Sequence, residues 1–93
     1  MIPDKEYLSL LGDTFDDFKF HKVESSNVFA YAYNKNSQTL IVAFNGGKIY
    51  SYSKVPPALF NALQASESKG HFISVNIVKN QNFKFRKYEI QEP

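Results

Sequence analysis

The densest chemistry in this sequence lies near its C-terminus. Between Lys79 and Tyr88 stand four bases (Lys79, Lys84, Arg86 and Lys87), no acid, and three aromatic residues, Phe83, Phe85 and Tyr88. Cationic side chains neutralise phosphates, and aromatic faces stack on bases at roughly 1–3 kcal/mol each. In an extended segment, alternation projects Lys84, Arg86 and Tyr88 from one side. The bland alternative is a solvated strand with Phe83 and Phe85 turned into a core. Lys48, Lys54, Lys69 and His71 fall around turns and helix starts, where backbone N–H groups also favour anions. Tyr50-Ser51-Tyr52 adds two rings separated by one residue. With ten lysines and a single arginine, bidentate reading of base edges is disfavoured, so nucleic-acid binding here would tolerate many sequences.

Catalytic groupings are thin. His21 and His71 lie in separate segments, with no His-x-x-His or His-Glu-x-x-His spacing for a metal. The chain has no cysteine, which removes thiolate nucleophiles, disulfides and cysteine zinc sites. Gly46-Gly47-Lys48 reads as a hairpin turn and not a phosphate loop. Asp13, Asp16 and Asp17 lack the register and terminal glutamate of a calcium loop and read as a solvated acidic turn. Ser25-Ser26 has no base beside it in sequence and reads as a hydrogen-bonded turn. The expectation is a protein that is not an enzyme and needs no metal or cofactor.

The 93 residues are 43% hydrophobic and 22% charged, the composition of one ordinary globular domain. Aromatics reach 16%, all Phe and Tyr. The net charge of +2 conceals an asymmetry: residues 1–17 sum to −4 and residues 18–93 to +6. A basic body attracts phosphates, and an acidic N-terminal segment could compete for the same surface. Apolar runs fall short of the roughly 20 residues of a membrane span, and Met1–Lys5 carries no signal-peptide core, so cytoplasm is the expected compartment (the host's, if the chain is phage-encoded).

The positioning elements follow from local pattern. Asp4 can cap a short helix with Tyr7, Leu8, Leu10 and Leu11 on one face and Gly12 as its stop. Phe18–Lys22 alternates and predicts a short strand. Val28–Tyr33, Thr39–Phe44 and Lys48–Ser53 are β-branched and aromatic runs separated by turn-forming residues, which predicts a three-stranded antiparallel meander. Pro57 opens an amphipathic helix over residues 57–66, with Leu59, Phe60 and Leu63 on one face. Residues 68–77 fit either a strand, from Ile73-Val75-Ile77, or a second short helix capped by Ser68.

The turn at Asn45-Gly46-Gly47 decides what the tyrosines can do. A two-residue turn, Asn45-Gly46 or Gly46-Gly47, puts Lys48, Tyr50 and Tyr52 opposite the Leu40-Val42-Phe44 face, as an exposed stacking platform. A three-residue turn with Gly47 left-handed pairs Phe44 with Lys48, Val42 with Tyr50 and Leu40 with Tyr52, and the rings enter the core. One residue of loop length inverts every side chain. The need of the following helix for an apolar sheet face favours the core arrangement.

At these residues the chain resembles the KTSC domain family, named for a segment at the C-terminus of some lysyl-tRNA synthetases. The resemblance runs from Val23 to about Phe85. It rests on Val23-x-Ser25-Ser26-x-Val28, Tyr33-Asn34, Thr39-Leu40-x-Val42-x-Phe44, Gly46-Gly47-x-Ile49-Tyr50-Ser51-Tyr52, Val55-Pro56 and Ser68-Lys69-Gly70 with Phe72 and Ile77. Ile73-Ser74 replaces the asparagine that members commonly carry after the paired aromatics. Val78 replaces a common basic residue, with Lys79 next. The resemblance implies helix over 68–77, and a small stand-alone bacterial or phage protein for which RNA binding has been suggested.

The expectation is thus an α+β domain: an antiparallel meander with one long and one short helix packed on one face. Residues 1–22 form an N-terminal helix and strand extension packed on the domain, and residues 23–93 form the KTSC-like domain. The expected function is a non-enzymatic binding module for RNA or another nucleotide or phosphate ligand. Lys69 and Arg86 are expected on phosphate, Lys48, Lys54, Lys84 and Lys87 in support, and Tyr50 and Tyr52 as stacking rings if the two-residue turn forms. The alternative is a protein-interaction module or oligomeric phage accessory protein that binds a host factor or sequesters a host nucleotide signal.

Overall fold

The structure is a computed structural model describing residues 3–89. The outer limits of the two expected segments lie outside the described residues. A five-stranded antiparallel sheet runs in sequence order: β1 (His21–Lys22), β2 (Val28–Asn34), β3 (Thr39–Phe44), β4 (Lys48–Tyr52) and β5 (Phe85–Glu89). Helix α1 (Asp4–Thr14) precedes it. Helix α2 (Pro57–Ala65) and helix α3 (Lys69–Ile73), which continues into a π-helical turn Ser74–Val78, lie between β4 and β5. The α+β meander is as the sequence predicts, and the 68–77 segment is helical from Lys69 onward, with Ser68 at the N-cap position but making no side-chain capping hydrogen bond.

The sheet is covered on both faces, where cover on one was expected. Val28, Tyr31, Leu40, Val42 and Tyr52 pack with Val55, Leu63, Ile73 and Ile77 on the face of α2 and α3. Phe29, Ala30, Ile41, Ala43 and Ile49 pack with Tyr7 and Leu11 of α1 on the other. The two-sided cover explains why β2 and β3 are near-continuous apolar runs and not alternating ones. A register shift in β2 between Val28 and Ala30 turns two successive residues, Phe29 and Ala30, toward α1. Phe29 then stacks on Tyr7 with centroids 4.4 Å apart. The Tyr7 hydroxyl donates to the Phe44 carbonyl at 2.7 Å, tying α1 to the end of β3.

Three local expectations are corrected. Asp4 is the first residue of α1 and makes no capping hydrogen bond; Pro3 holds the N-cap position. The helix runs through Gly12 to Thr14, since Gly12 does not take the positive φ of a glycine stop. The Phe18–Lys22 strand shrinks to His21–Lys22, with Phe18 and Phe20 in the aromatic cluster beneath α1.

The turn joining β3 and β4 has three residues. Val42 pairs with Tyr50 and Leu40 with Tyr52, and Gly46 and Gly47 both take positive φ, 98° and 95°. Tyr52 is therefore core, 3% exposed. Burial pushes the Tyr7 and Tyr52 phenols up to about 12. Their protons are held more tightly in the folded chain than in the unfolded one, where tyrosine ionises near 10. The stabilisation is complete below pH 10 and disappears as pH rises through 12, by about 1.4 kcal/mol per pH unit for each ring. Thermal melts should thus be flat to about pH 9.5 on this account and fall steeply above it. A melting temperature unchanged at pH 11.5 would contradict this burial.

Candidate nucleic-acid interface

β5 is an edge strand, hydrogen-bonded to β4 on one side only, and its register assigns every side chain to a face. Tyr50 opposes Lys87, Ser51 opposes Arg86, and Tyr52 opposes Phe85. Opposed residues share a face. Phe85 and Lys87 therefore lie on the α3 side with Tyr50, and Arg86 and Tyr88 lie on the α1 side. Lys84, two residues before Arg86, falls with Arg86 by alternation.

On the α3 side, Phe85 is 66% exposed although it belongs to an aromatic series. Its ring lies 5.6 Å from Tyr50 and 6.2 Å from Tyr52, both tilted, and Tyr50 lies 5.7 Å from Phe44. The π-helical turn brings Val78 to the same place. Its register is held by Lys79 N–H donating to the Ser74 carbonyl at 3.2 Å, and Asn76 Nδ2 donates to the Phe72 carbonyl at 3.2 Å. Tyr50, Tyr52, Val78 and Phe85 enclose a shallow hollow of about 100 Å³. Val75 and Val78 are 44% and 43% exposed. By register Lys87 of β5 and Lys48 at the start of β4 share this face, as does Glu89, which stands opposite Lys48, and Lys79 follows Val78 in the chain. Lys54, at φ 59°, follows Ser53, whose N–H donates to the Lys84 carbonyl at 2.9 Å.

The expected contact set is therefore divided. Lys48, Tyr50 and Lys87 gather on one face, with Lys54 at the far end of β4. Tyr52 reaches the surface only as the floor of the hollow, and the exposed two-tyrosine platform does not form. Arg86 and Lys84 turn to the other side of the strand. Lys69 is at the opposite edge of the sheet, in a cleft of about 430 Å³ bordered by Lys22, Glu24, Ser25, Glu67 and His71. Its Nζ donates to the Ser66 carbonyl at 3.0 Å. Sequence reasoning omitted Phe85 from the contact set and did not single out Val75 or Val78. The alternation of Phe83–Tyr88 was the available signal for Phe85, but only the β4–β5 register says which side is covered. Among the described residues, no group of three or more His, Cys, Asp or Glu is placed to hold a metal ion.

The motif residues around the Lys69 cleft have a packing role. A Cβ on Gly70 would meet Ser25 Oγ at 2.5 Å and Ser25 Cβ at 3.0 Å. Ser25 Oγ cannot readily move, since it accepts the Asn27 and Val28 N–H groups at 3.1 and 3.2 Å. Gly70→Ala should cost about 1–3 kcal/mol in urea unfolding, outweighing the gain of roughly 1 kcal/mol in helix propensity. In a Ser25→Gly background the same substitution should become neutral or stabilising. Equal losses in both backgrounds would contradict the steric account.

Comparison with known proteins follows the same outline. Residues 24–83 match the model of the KTSC domain. A protein from Tsukamurella paurometabola is 46% identical over 57 residues, which are 61% of this chain and 84% of that protein. A lysine–tRNA ligase from Nostoc punctiforme is 39% identical over 56 residues, 59% of this chain but only 10% of the ligase. The crystal structure of a KTSC domain protein from Yersinia pestis superposes with a TM-score of 0.67 at 25% identity, covering 76% of this chain and 97% of that one.

Proposed function

The chain belongs to the KTSC domain family, and from that premise we propose that it is a non-enzymatic module that binds single-stranded RNA, or a nucleotide fragment of it, across the α3 side of β5. The observation that carries this reading is Phe85, a ring 66% exposed on an edge strand among basic residues. A phenylalanine this exposed gives the fold only its edge contacts with Tyr50 and Tyr52, whereas a flat apolar ring beside lysines suits a base with its phosphate. The hollow between Tyr50, Val78 and Phe85 accepts the edge of one base, and Lys79 and Lys87 take the flanking phosphates. Every base has a π-face, so recognition is sequence-tolerant. Homologous segments within lysine–tRNA ligases, proteins named for a tRNA substrate, are compatible with such a role. No membrane partner enters the proposal; among the described residues no helix is long and apolar enough to cross one.

The test is anisotropy of a fluorescein-labelled 12-mer of uridine. With Lys48 as a third contact beside Lys79 and Lys87, three phosphate contacts predict a binding constant about twentyfold weaker at 200 mM salt than at 50 mM. Binding that ignores salt would instead favour the second reading, in which Val75, Val78 and Phe85 form an apolar protein interface or an oligomer contact. No binding at 50 mM salt would end the nucleic-acid reading.

A further inference from the structure

The direction in which β5 offers its backbone follows from one hydrogen bond. Ser53 N–H donates to the Lys84 carbonyl at 2.9 Å, and this pair continues the register in which Tyr52 opposes Phe85. Antiparallel strands alternate hydrogen-bonded and non-hydrogen-bonded pairs. Ser51–Arg86 and Ile49–Tyr88 are thus bonded pairs, and Tyr52–Phe85, Tyr50–Lys87 and Lys48–Glu89 are not. The N–H and C=O groups of Phe85, Lys87 and Glu89 therefore point away from β4, toward the open edge. Among the described residues no strand lies beyond β5, and Phe85, Arg86, Lys87 and Glu89 are exposed. At the opposite edge of the sheet, β1 is two residues long and offers no comparable template.

Charge on the strand selects what can pair with that edge. Suppose a second copy of β5 runs antiparallel to the first about a twofold axis. Axes at Arg86, Lys87 and Glu89 each oppose a charge to its own copy, and an axis at Phe85 opposes Lys84 to Arg86. Like charges directly opposed across strands are destabilising. An axis at Tyr88 avoids all of these. There Lys87 of each copy opposes Glu89 of the other, and both residues point their backbone groups outward, so each pair can exchange two hydrogen bonds. Tyr88, part-buried against Phe15 on the α1 side, meets its own copy in the close, non-hydrogen-bonded position, where aromatic pairs are favourable.

We propose that the chain forms a twofold dimer through β5, paired antiparallel about Tyr88, which joins the two sheets into one. The edge is complementary to itself, so the contact closes as a dimer and does not propagate. Opposed residues share a face, and Phe85 and Lys87 of both copies therefore lie on the same side of the joined sheet. Each Phe85 is three residues from the axis, which sets the two rings about 20 Å apart along the strands. The dimer stands without the nucleic-acid reading; its consequence for the site rests on that reading. Two half-sites on one face let one strand occupy both. At the 3.4 Å per nucleotide of a stacked strand, a 12-mer covers about 40 Å and a 3-mer about 10 Å.

Sedimentation equilibrium of the full chain at 50 mM salt tests the dimer, up to about 1 mM because the interface is small. Wild type should pass from monomer to dimer across this range. Lys87→Glu and Glu89→Lys each put like charges opposite one another and should weaken dimerisation at least tenfold. Combined in one chain, the two changes should restore it to within threefold of wild type. Glu89→Pro deletes an outward N–H without touching the ladder to β4, and should leave a monomer that melts within a few degrees of wild type. A wild-type chain that stays monomeric, a dimer indifferent to both single changes, or a double variant no better than either would overturn the proposal. At chain concentrations where wild type is dimeric, the labelled uridine 12-mer should bind it at least tenfold more tightly than Glu89→Pro, and a 3-mer should bind both within twofold. Equal 12-mer affinities would overturn the shared site. Wild-type protein that dimerises and binds no RNA would defeat the functional reading and leave the dimer standing, so the two failures are distinguishable.

Discussion

Replacing Tyr7 and Leu11 together with alanine should unfold the whole domain, although both residues lie outside the segment 24–83 that matches the family. They are the two buried residues of α1, and Leu11 is 0% exposed. Truncating a core leucine costs about 2–5 kcal/mol and an aromatic residue about 3–5 kcal/mol. Tyr7 also loses its stack on Phe29 and its hydrogen bond to the Phe44 carbonyl. The two share one cluster, so the losses are not strictly additive. Their sum nevertheless approaches the total stability of about 5–14 kcal/mol expected for a chain of this size. Circular dichroism of the double variant should show no cooperative melt above 25 °C, and Tyr7→Phe alone should lose only about 1 kcal/mol, for the hydroxyl. A double variant with a sharp melt near the wild-type temperature would show that the sheet stands without α1.

The second large effect concerns binding and leaves the fold intact. Lys79→Ala, Phe85→Ala and Lys87→Ala in one chain should weaken binding of the uridine 12-mer at least about a hundredfold: stacking on one ring contributes 1–3 kcal/mol, and two phosphate contacts go with it. Because Phe85 is exposed and the lysines lie on the surface, the melting temperature should move by no more than a few degrees. The salt dependence is the sharper readout. Removing two of three phosphate contacts should cut its slope by about two-thirds, a change that a merely loosened fold would not produce. Affinity retained by this variant would place the ligand elsewhere on the molecule.

Much of the fold is legible because the meander is written in local signals. The three apolar runs and their turn residues set β2, β3 and β4, and Pro57 sets the start of α2. The tyrosine placement was legible only as a choice, since nothing in Asn45-Gly46-Gly47 itself states how many residues the turn consumes. The second sheet face was missed for a different reason. Val28–Tyr33 and Leu40–Phe44 are apolar at successive positions, which signals cover on both sides, but the cover on one side comes from α1, far away in the chain. The site was least legible. Lys79–Tyr88 is a single basic and aromatic stretch in sequence, and pairing with β4 splits it between two faces. Lys69 looked equivalent to the other lysines until the strand order put it at the opposite edge.

The order of the sheet has a further consequence, in time. β1 through β4 are joined by short turns, so each ladder closes over a few residues as the chain collapses. β5 is the exception: it returns to β4 only after the connection from Ser53 to Lys84 has formed both α2 and α3. Its ladder closes the longest loop and is the most expensive to nucleate. It should be the last strand to zip and the first to open, a unit whose amide hydrogens exchange by local opening while those of β2 and β3 wait for global unfolding. A ligand lying along Phe85 and Lys87 would then act as a latch, and its occupancy would be recorded as slowed exchange at Phe85–Glu89 with little change in the centre of the sheet.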